Sequence, residues 1–215
     1  MRTEKMSYAP LIAVLVLAIV LLPLAGCLSA SAPGDTAVQE ESPDLQAELQ
    51  GNIQEIRGNT ATLSSTIHRL INEERRKGGL QPLQWDPALA NIALSHSRDM
   101  AERDYFDHIS PEGKDFADRY AENGYSLETR IDNTVYVGGE NLFLNNVVRT
   151  YTYDEVTSEI LEYQYNDLDE LARSTVQGWM ESPGHRDNIL TPFSREGIGI
   201  YITDDGKVYI TENFS

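Results

Sequence analysis

Gly178-Trp179-Met180-Glu181-Ser182-Pro183-Gly184-His185-Arg186-Asp187-Asn188-Ile189-Leu190 holds the end of one helix, a break, and the start of another. Upstream of it, Leu168, Leu171, Ala172, Val176 and Trp179 recur at the spacing of a helix with one apolar face. Asn166-Asp167 can cap that helix, and Asp169 and Glu170 stand in its first turn, where the dipole favours negative charge. Ser182-Pro183 repeats the cap-then-proline signal and opens a short helix through Ile189 and Leu190. His185 follows Gly184 near the start of this second helix. There the dipole disfavours imidazolium and keeps the ring neutral, as a metal ligand or a base must be.

Outward from this point the chain reads as alternating helices and short strands. Ile67, Leu70 and Ile71 form a helical stripe stopped by Gly78-Gly79, and Arg75-Arg76-Lys77 offset the negative end of its dipole. Asp86-Pro87 starts a second helix with Leu89, Ile92, Ala93, His96 and Met100 on one face. His96 therefore reads as a packed or hydrogen-bonded structural residue, set apart from the other histidines. At the C-terminus, Ile198 to Ile202 and Val208 to Ile210 alternate around Asp204-Asp205-Gly206-Lys207, a hairpin signature. Helices and short strands without a regular strand-helix alternation indicate an α+β fold in layers.

Two further side chains stand in turn-rich settings. His108 lies between Tyr105-Phe106-Asp107 and Ile109-Ser110-Pro111, leaving a helix end for a loop. Glu140 lies in Gly138-Gly139-Glu140-Asn141-Leu142, where glycines let the backbone bend and approach other elements. These two are expected to converge with His185 across the fold. Serine chemistry has little support: Ser110 is near His108 in sequence, but no Gly-x-Ser-x-Gly elbow exists, and no H-E-x-x-H helix is present.

Taken in order, these strings resemble the CAP superfamily (cysteine-rich secretory, antigen 5 and pathogenesis-related-1) in its prokaryotic SCP-like form. Phe106 to Gly113 is similar to F-(S/D)-H-x-S-P-x-G, Gly139 to Leu142 to G-E-N-(I/L), and Gly178 to Leu190 to G-W-x-x-S-P-G-H-R-x-N-I-L. Asn72-Glu73-Glu74-Arg75, Leu83-Gln84-Trp85-Asp86 and Gly197-Ile198-Gly199 fit the same order, so the resemblance runs from about Leu63 to Ser215. It implies an α-β-α sandwich with a central, mostly antiparallel sheet and a cleft holding two His and two Glu. His108, Glu140 and His185 match three of those positions. At the fourth this chain has Ser182, with Glu181 one residue earlier, and one helical position turns a side chain by about 100 degrees. The stretch from Phe143 to Arg173, rich in tyrosine, is expected to shape one wall of the cleft.

The N-terminus adds an address. Arg2 and Lys5 precede an apolar run from Ala9 to Leu22, and Leu24-Ala25-Gly26-Cys27 resembles a lipobox. Residues 1–26 therefore read as a signal peptide with Cys27 lipidated, or else as an uncleaved anchor of about 18 apolar residues. Residues 27–62, rich in Ser, Ala, Pro, Gly, Gln and Glu, are expected to be a flexible tether, with residues 63–215 the domain. The single cysteine excludes a disulfide framework such as eukaryotic relatives carry. A net charge of −17, from 34 acidic and 17 basic residues, makes nucleic acid an unfavourable partner. With Lys only at Lys5, Lys77, Lys114 and Lys207, the surface fits a protein hydrated in high salt and equally a plain acidic one.

Three uses of the His/Glu cleft stay open: a site for Zn or another divalent metal, a structural hydrogen-bond network, and a metal-dependent hydrolase acting on esters or peptides. The resemblance implies a binding module for lipid, glycan or protein at the membrane surface, since catalysis is not general in the family. The expectation is a surface ligand-binding domain held at the extracytoplasmic face of the membrane.

Overall fold

The computed structural model of the chain describes residues 5–7, 42–125, 128–131 and 134–215. Cys27 and the apolar run before it lie outside the described residues, and no described helix is long and apolar enough to cross a membrane. Lys5–Ser7 (β1) pair antiparallel with Val148–Tyr153 (β6), which in turn pair with Ile160–Tyr165 (β7). The central sheet has the order β2-β8-β9-β5, from Gln84–Trp85, Arg195–Ile202, Lys207–Phe214 and Gly139–Asn146. Only the short β2·β8 pair is parallel. Glu128–Ile131 (β3) and Thr134–Val137 (β4) form a separate hairpin.

The two faces of the sheet carry different helices, so the α+β sandwich expected from the sequence is the observed fold. Ile198, Ile200 and Ile202 of β8 and Val208, Ile210 and Phe214 of β9 point to one side. There they bury against Thr60–Lys77 (α2), Leu168–Glu181 (α5) and Pro183–Leu190 (α6). The other side takes Pro87–Glu102 (α3) and Phe116–Glu122 (α4), through Leu89, Ile92, Met100 and Tyr120. Asp86 caps α3 by accepting from the Ala88 and Leu89 amides, and Asp167 closes a capping box with Glu170 at α5. Ser182, expected to cap α6, makes no side-chain cap bond. Its main chain also ends α5, its amide donating to Gly178 and Trp179 carbonyls, so one residue is shared by two helix ends.

The tether expected over residues 27–62 is corrected in its second half. Pro43–Gly58 (α1) is a helix with Ser42 at its N-cap, and Ile53 and Ile56 are buried in the same core as Ile67 and Trp179. Gly51 sits inside α1 without breaking it. Burying those two isoleucines outweighs the roughly 1 kcal/mol cost of a helical glycine.

Helix α3 lies against β8 at backbone contact. A Cβ built on Gly197 would stand 2.1 Å from the Ala90 amide nitrogen, and one on Gly199 would stand 1.9 Å from that of Leu94. Only hydrogen fits at either position. Gly199→Ala should therefore destabilise the domain by at least about 3 kcal/mol, the upper end of overpacking costs. Gly184→Ala, with nothing within 4 Å, should leave stability unchanged; thermal unfolding of the two variants checks the difference.

Candidate functional site

The site forms where the edge strand β5 begins and the two layers meet. Successive side chains of a strand face opposite ways. Glu140 accordingly points toward α3 and α4, and Asn141 toward α5 and α6. Tyr120, buried on α4, anchors the approach by donating to the carbonyls of Gly139 (3.2 Å) and Phe214 (3.1 Å).

Glu140 is the hub, its side chain only 1% exposed. Its Oε2 accepts from Arg119 Nη2 at 2.6 Å and its Oε1 from His108 Nδ1 at 2.9 Å. A carboxylate can only accept, so the proton of a neutral His108 ring sits on Nδ1 and the Nε2 lone pair is left over. Arg119 also donates to the His108 carbonyl (3.1 Å) and the Lys114 carbonyl (3.1 Å), fixing the loop that carries the histidine. His108 itself is half exposed, at 48%. His185, from the first turn of α6, brings its ring centre to 6.3 Å from that of His108. Burial, and then the neighbouring charge of His108, hold the His185 pKa below its ordinary value.

Asn141 and Asn188 hold the two layers together behind the rings. Asn141 Nδ2 donates to the His185 carbonyl at 3.2 Å, and Asn188 Nδ2 donates to the Glu140 carbonyl at 3.1 Å and to Asn141 Oδ1 at 2.9 Å. The motif residues around each chemical group thus serve as the frame between them.

Several expectations change here. His96 is buried and hydrogen-bonded as expected, Nε2 donating to the Asp107 carbonyl at 3.1 Å, but it does not pack elsewhere. Its Nε2 lies 3.9 Å from Glu140 Oε1, because α3, packed on β8 and β9, occupies the face of the sheet to which Glu140 points. Burial keeps the His96 ring's pKa down. Glu181 does not take the fourth cleft position. Its carboxylate accepts from Gln177 at 2.7 Å, in an exposed groove between α2 and α5 lined also by Leu70, Glu74 and Met180. Ser182 makes no polar side-chain contact with the cluster among the described residues. The 143–173 stretch forms β6 and β7 against α1, at the far end of β5, roughly 20 Å along the strand from Glu140. It does not wall the cleft.

Arg119 was missed by sequence reading. The Asp115 to Asp118 capping box could have flagged α4, but nothing local marks its guanidinium as the partner of a carboxylate 21 positions away.

The donor set bears on metal binding. Among the described residues no group of three or more His, Cys, Asp or Glu side chains is placed to hold a metal ion. Glu140 is already engaged by Arg119 and His108, so the expected three-ligand set of His108, Glu140 and His185 does not fit. Two imidazoles with a carboxylate behind one of them do fit a partial seat, in which the carboxylate orients the ligand and does not bind the ion.

The model of the CAP family, described as the cysteine-rich secretory protein family, matches residues 68–214. The chain belongs to this family. It is 34% identical over 149 residues to the uncharacterized protein YkwD of Bacillus subtilis, covering 69% of this chain and 45% of that protein. The uncharacterized membrane protein YlbC of the same organism is 30% identical over 154 residues, covering 71% of this CAP chain and 34% of YlbC. Among solved structures, an outer surface protein of Borrelia burgdorferi superposes with a TM-score of 0.53 at 17% identity, covering 72% of this chain and 92% of that one. This last likeness is one of fold.

Removing the hub charge has a defined cost. Glu140→Gln should destabilise the CAP domain by about 3–5 kcal/mol, because it leaves the Arg119 guanidinium, itself mostly buried, without its counter-charge. Glu181→Gln should stay within about 0.5 kcal/mol, as an exposed site does. Urea unfolding of both variants is the measurement.

Proposed function

We propose that this CAP domain is an extracytoplasmic binding module, tethered to the membrane by its N-terminal segment, that captures a surface ligand at the His108/His185 edge. One observation carries the reading: both oxygens of Glu140 are taken, by Arg119 and His108, so the cluster offers two imidazoles but neither a spare carboxylate base nor a nucleophile. A binding edge needs no more than this. Phe106 and Ile109, exposed on either side of His108, supply apolar contact area. They favour a ligand with an apolar portion, a lipid ahead of a glycan or a protein loop. The signal-like N-terminus, and the description of YlbC as a membrane protein, support the location. A tether raises the effective concentration of surface ligands at the domain.

A divalent ion such as Zn would be held by His108 Nε2 and His185, completed by water or by a donor of the ligand itself. Bound there, it would supply a positive charge that draws an anionic or carbonyl group to the edge. Glu140 would orient the His108 ring, and Arg119 would hold the Glu140 carboxylate in place.

Calorimetric titration with zinc, with lipid vesicles and with both, on wild type and on His108→Ala and His185→Ala, tests the proposal. Protons compete with metal for imidazole, and the His185 pKa is lowered by burial and by His108. His185 should therefore still be open to zinc at pH 6.5, the ordinary histidine value, and be lost to it as pH falls through the lowered one. Vesicle binding lost in both variants supports the module. Ester or peptide turnover abolished by both substitutions in a folded protein would replace it with a metal-dependent hydrolase.

A further inference from the structure

The sheet face opposite Glu140 carries a second pair of acids that the candidate site does not use. Glu196 of β8 and Glu212 of β9 are both 0% exposed. The register sets Glu196 opposite Phe214 and Ile198 opposite Glu212, so the two glutamates are diagonal neighbours on one face. One oxygen of each has a donor: His68 Nδ1 binds Glu196 Oε1, and Asn141 Nδ2 binds Glu212 Oε2 at 3.0 Å. The remaining two, Glu196 Oε2 and Glu212 Oε1, are buried and accept no hydrogen bond from any described group.

The charges facing this pair come from α2 alone among the described residues, namely His68 and Arg75. Arg75 is 1% exposed and spends its donors on four carbonyls, those of Gln81, Ile189, Thr191 and Phe193. It acts on the acids as a charge nearby and donates no hydrogen bond to either. From β5 and α6 come the uncharged amides of Asn141 and Asn188, and the buried face of α5 is Leu171, Ala172, Thr175, Val176 and Trp179. Whatever charge His68 carries, two ionised carboxylates would leave Glu196 Oε2 and Glu212 Oε1 buried without a donor, an arrangement that burial strongly disfavours.

We propose that Glu196 and Glu212 share one proton in the native protein, Glu212 acting as the acid, and that the pair is a positioning device for the His185 edge. The hydrogen bonds then close: Glu212 Oε1–H donates to Glu196 Oε2, Glu212 Oε2 accepts from Asn141, and Glu196 Oε1 accepts from His68. Asn141 is held with its amino group shared between Glu212 and the His185 carbonyl and its oxygen toward Asn188, which in turn holds the Glu140 carbonyl. Burial, and then the Glu196 charge, push the Glu212 carboxyl well above the usual range, in keeping with this assignment. A folded pKa raised above the unfolded one gives stability that is complete below the unfolded value and is lost as pH rises through the folded value. This inference stands whether or not the two imidazoles take a metal.

The test uses the full chain in detergent micelles and needs no ligand, so its failure would be separate from failure of the binding reading. The infrared spectrum at pH 7 should contain a protonated-carboxyl stretch that disappears in Glu212→Gln. That variant keeps a donor to Glu196 and an acceptor for Asn141, so amide hydrogen exchange in residues 183–190 should match wild type, whereas Glu212→Leu should accelerate it at least tenfold. A spectrum without the band, or with the same band in Glu212→Gln, overturns the shared proton even if Glu212→Leu fails to fold. Exchange in 183–190 that is equal in the Gln and Leu variants overturns the positioning role.

Discussion

How closely α3 can lie on β8 decides where the other elements of the domain go. Gly197 and Gly199 remove the side chains that would otherwise hold a helix off a sheet, and the α3 backbone settles onto the strand at Ala90 and Leu94. The depth of that contact sets where α3 ends and its following loop begins. His96 is thereby brought beneath the first residues of β5, and the loop beyond Glu102 is delivered to the same edge, carrying His108 with it. From the other side, α5 closes down where Gly178 admits the Phe143 ring, and Trp179 donates to the Leu142 carbonyl at 3.0 Å. The short break at Ser182 then turns α6, with His185, toward the same strand end.

A buried carboxylate is the consequence of this convergence and the organiser of the site. Glu140 is buried away from bulk solvent, so its charge is met by Arg119 and its second oxygen by His108. The same pairing that makes Glu140 tolerable in the interior commits it structurally and points the unused nitrogen of His108 outward. Across the strand, Asn141 does the corresponding work with an uncharged amide, linking His185 to the buried acids of β8 and β9. Alternation along a single strand thus places two polar systems of different character back to back, one on each side of the sheet.

The layers, the caps of α3 and α5 and the closing hairpin were legible in the sequence because each is a local signal: a period, an aspartate before a helix, an Asp-Gly turn. His108, Glu140 and His185 were legible as motif residues, although Glu140 stands in strand β5 and His185 in helix α6. What they do to one another was not, since Arg119, the residue that decides whether Glu140 is available as a ligand, is identified only by tertiary contact. His96 misled for the same reason: its helical stripe correctly marked burial, but the stripe gives no information on what lies above it. Residues 43–58 misled through composition, because Leu49, Ile53 and Ile56 are few among polar neighbours, yet they are enough to seat α1 once the core of α2 and β8 is there to receive them. His68 and the Glu196–Glu212 pair left no sequence signal, being scattered acids and a histidine on strands and a helix that only the register brings together.

Everything read from the edge turns on Glu140 fixing the His108 ring with Nδ1 protonated and Nε2 presented outward. Nitrogen-15 NMR of the imidazoles at pH 8, where neutral tautomers are resolved, measures this directly. His108 should be locked as the Nδ1–H tautomer, with its Nε2 resonance, and not its Nδ1, shifting when zinc is added. A His108 ring in the Nε2–H form, or one exchanging freely between tautomers, would contradict it.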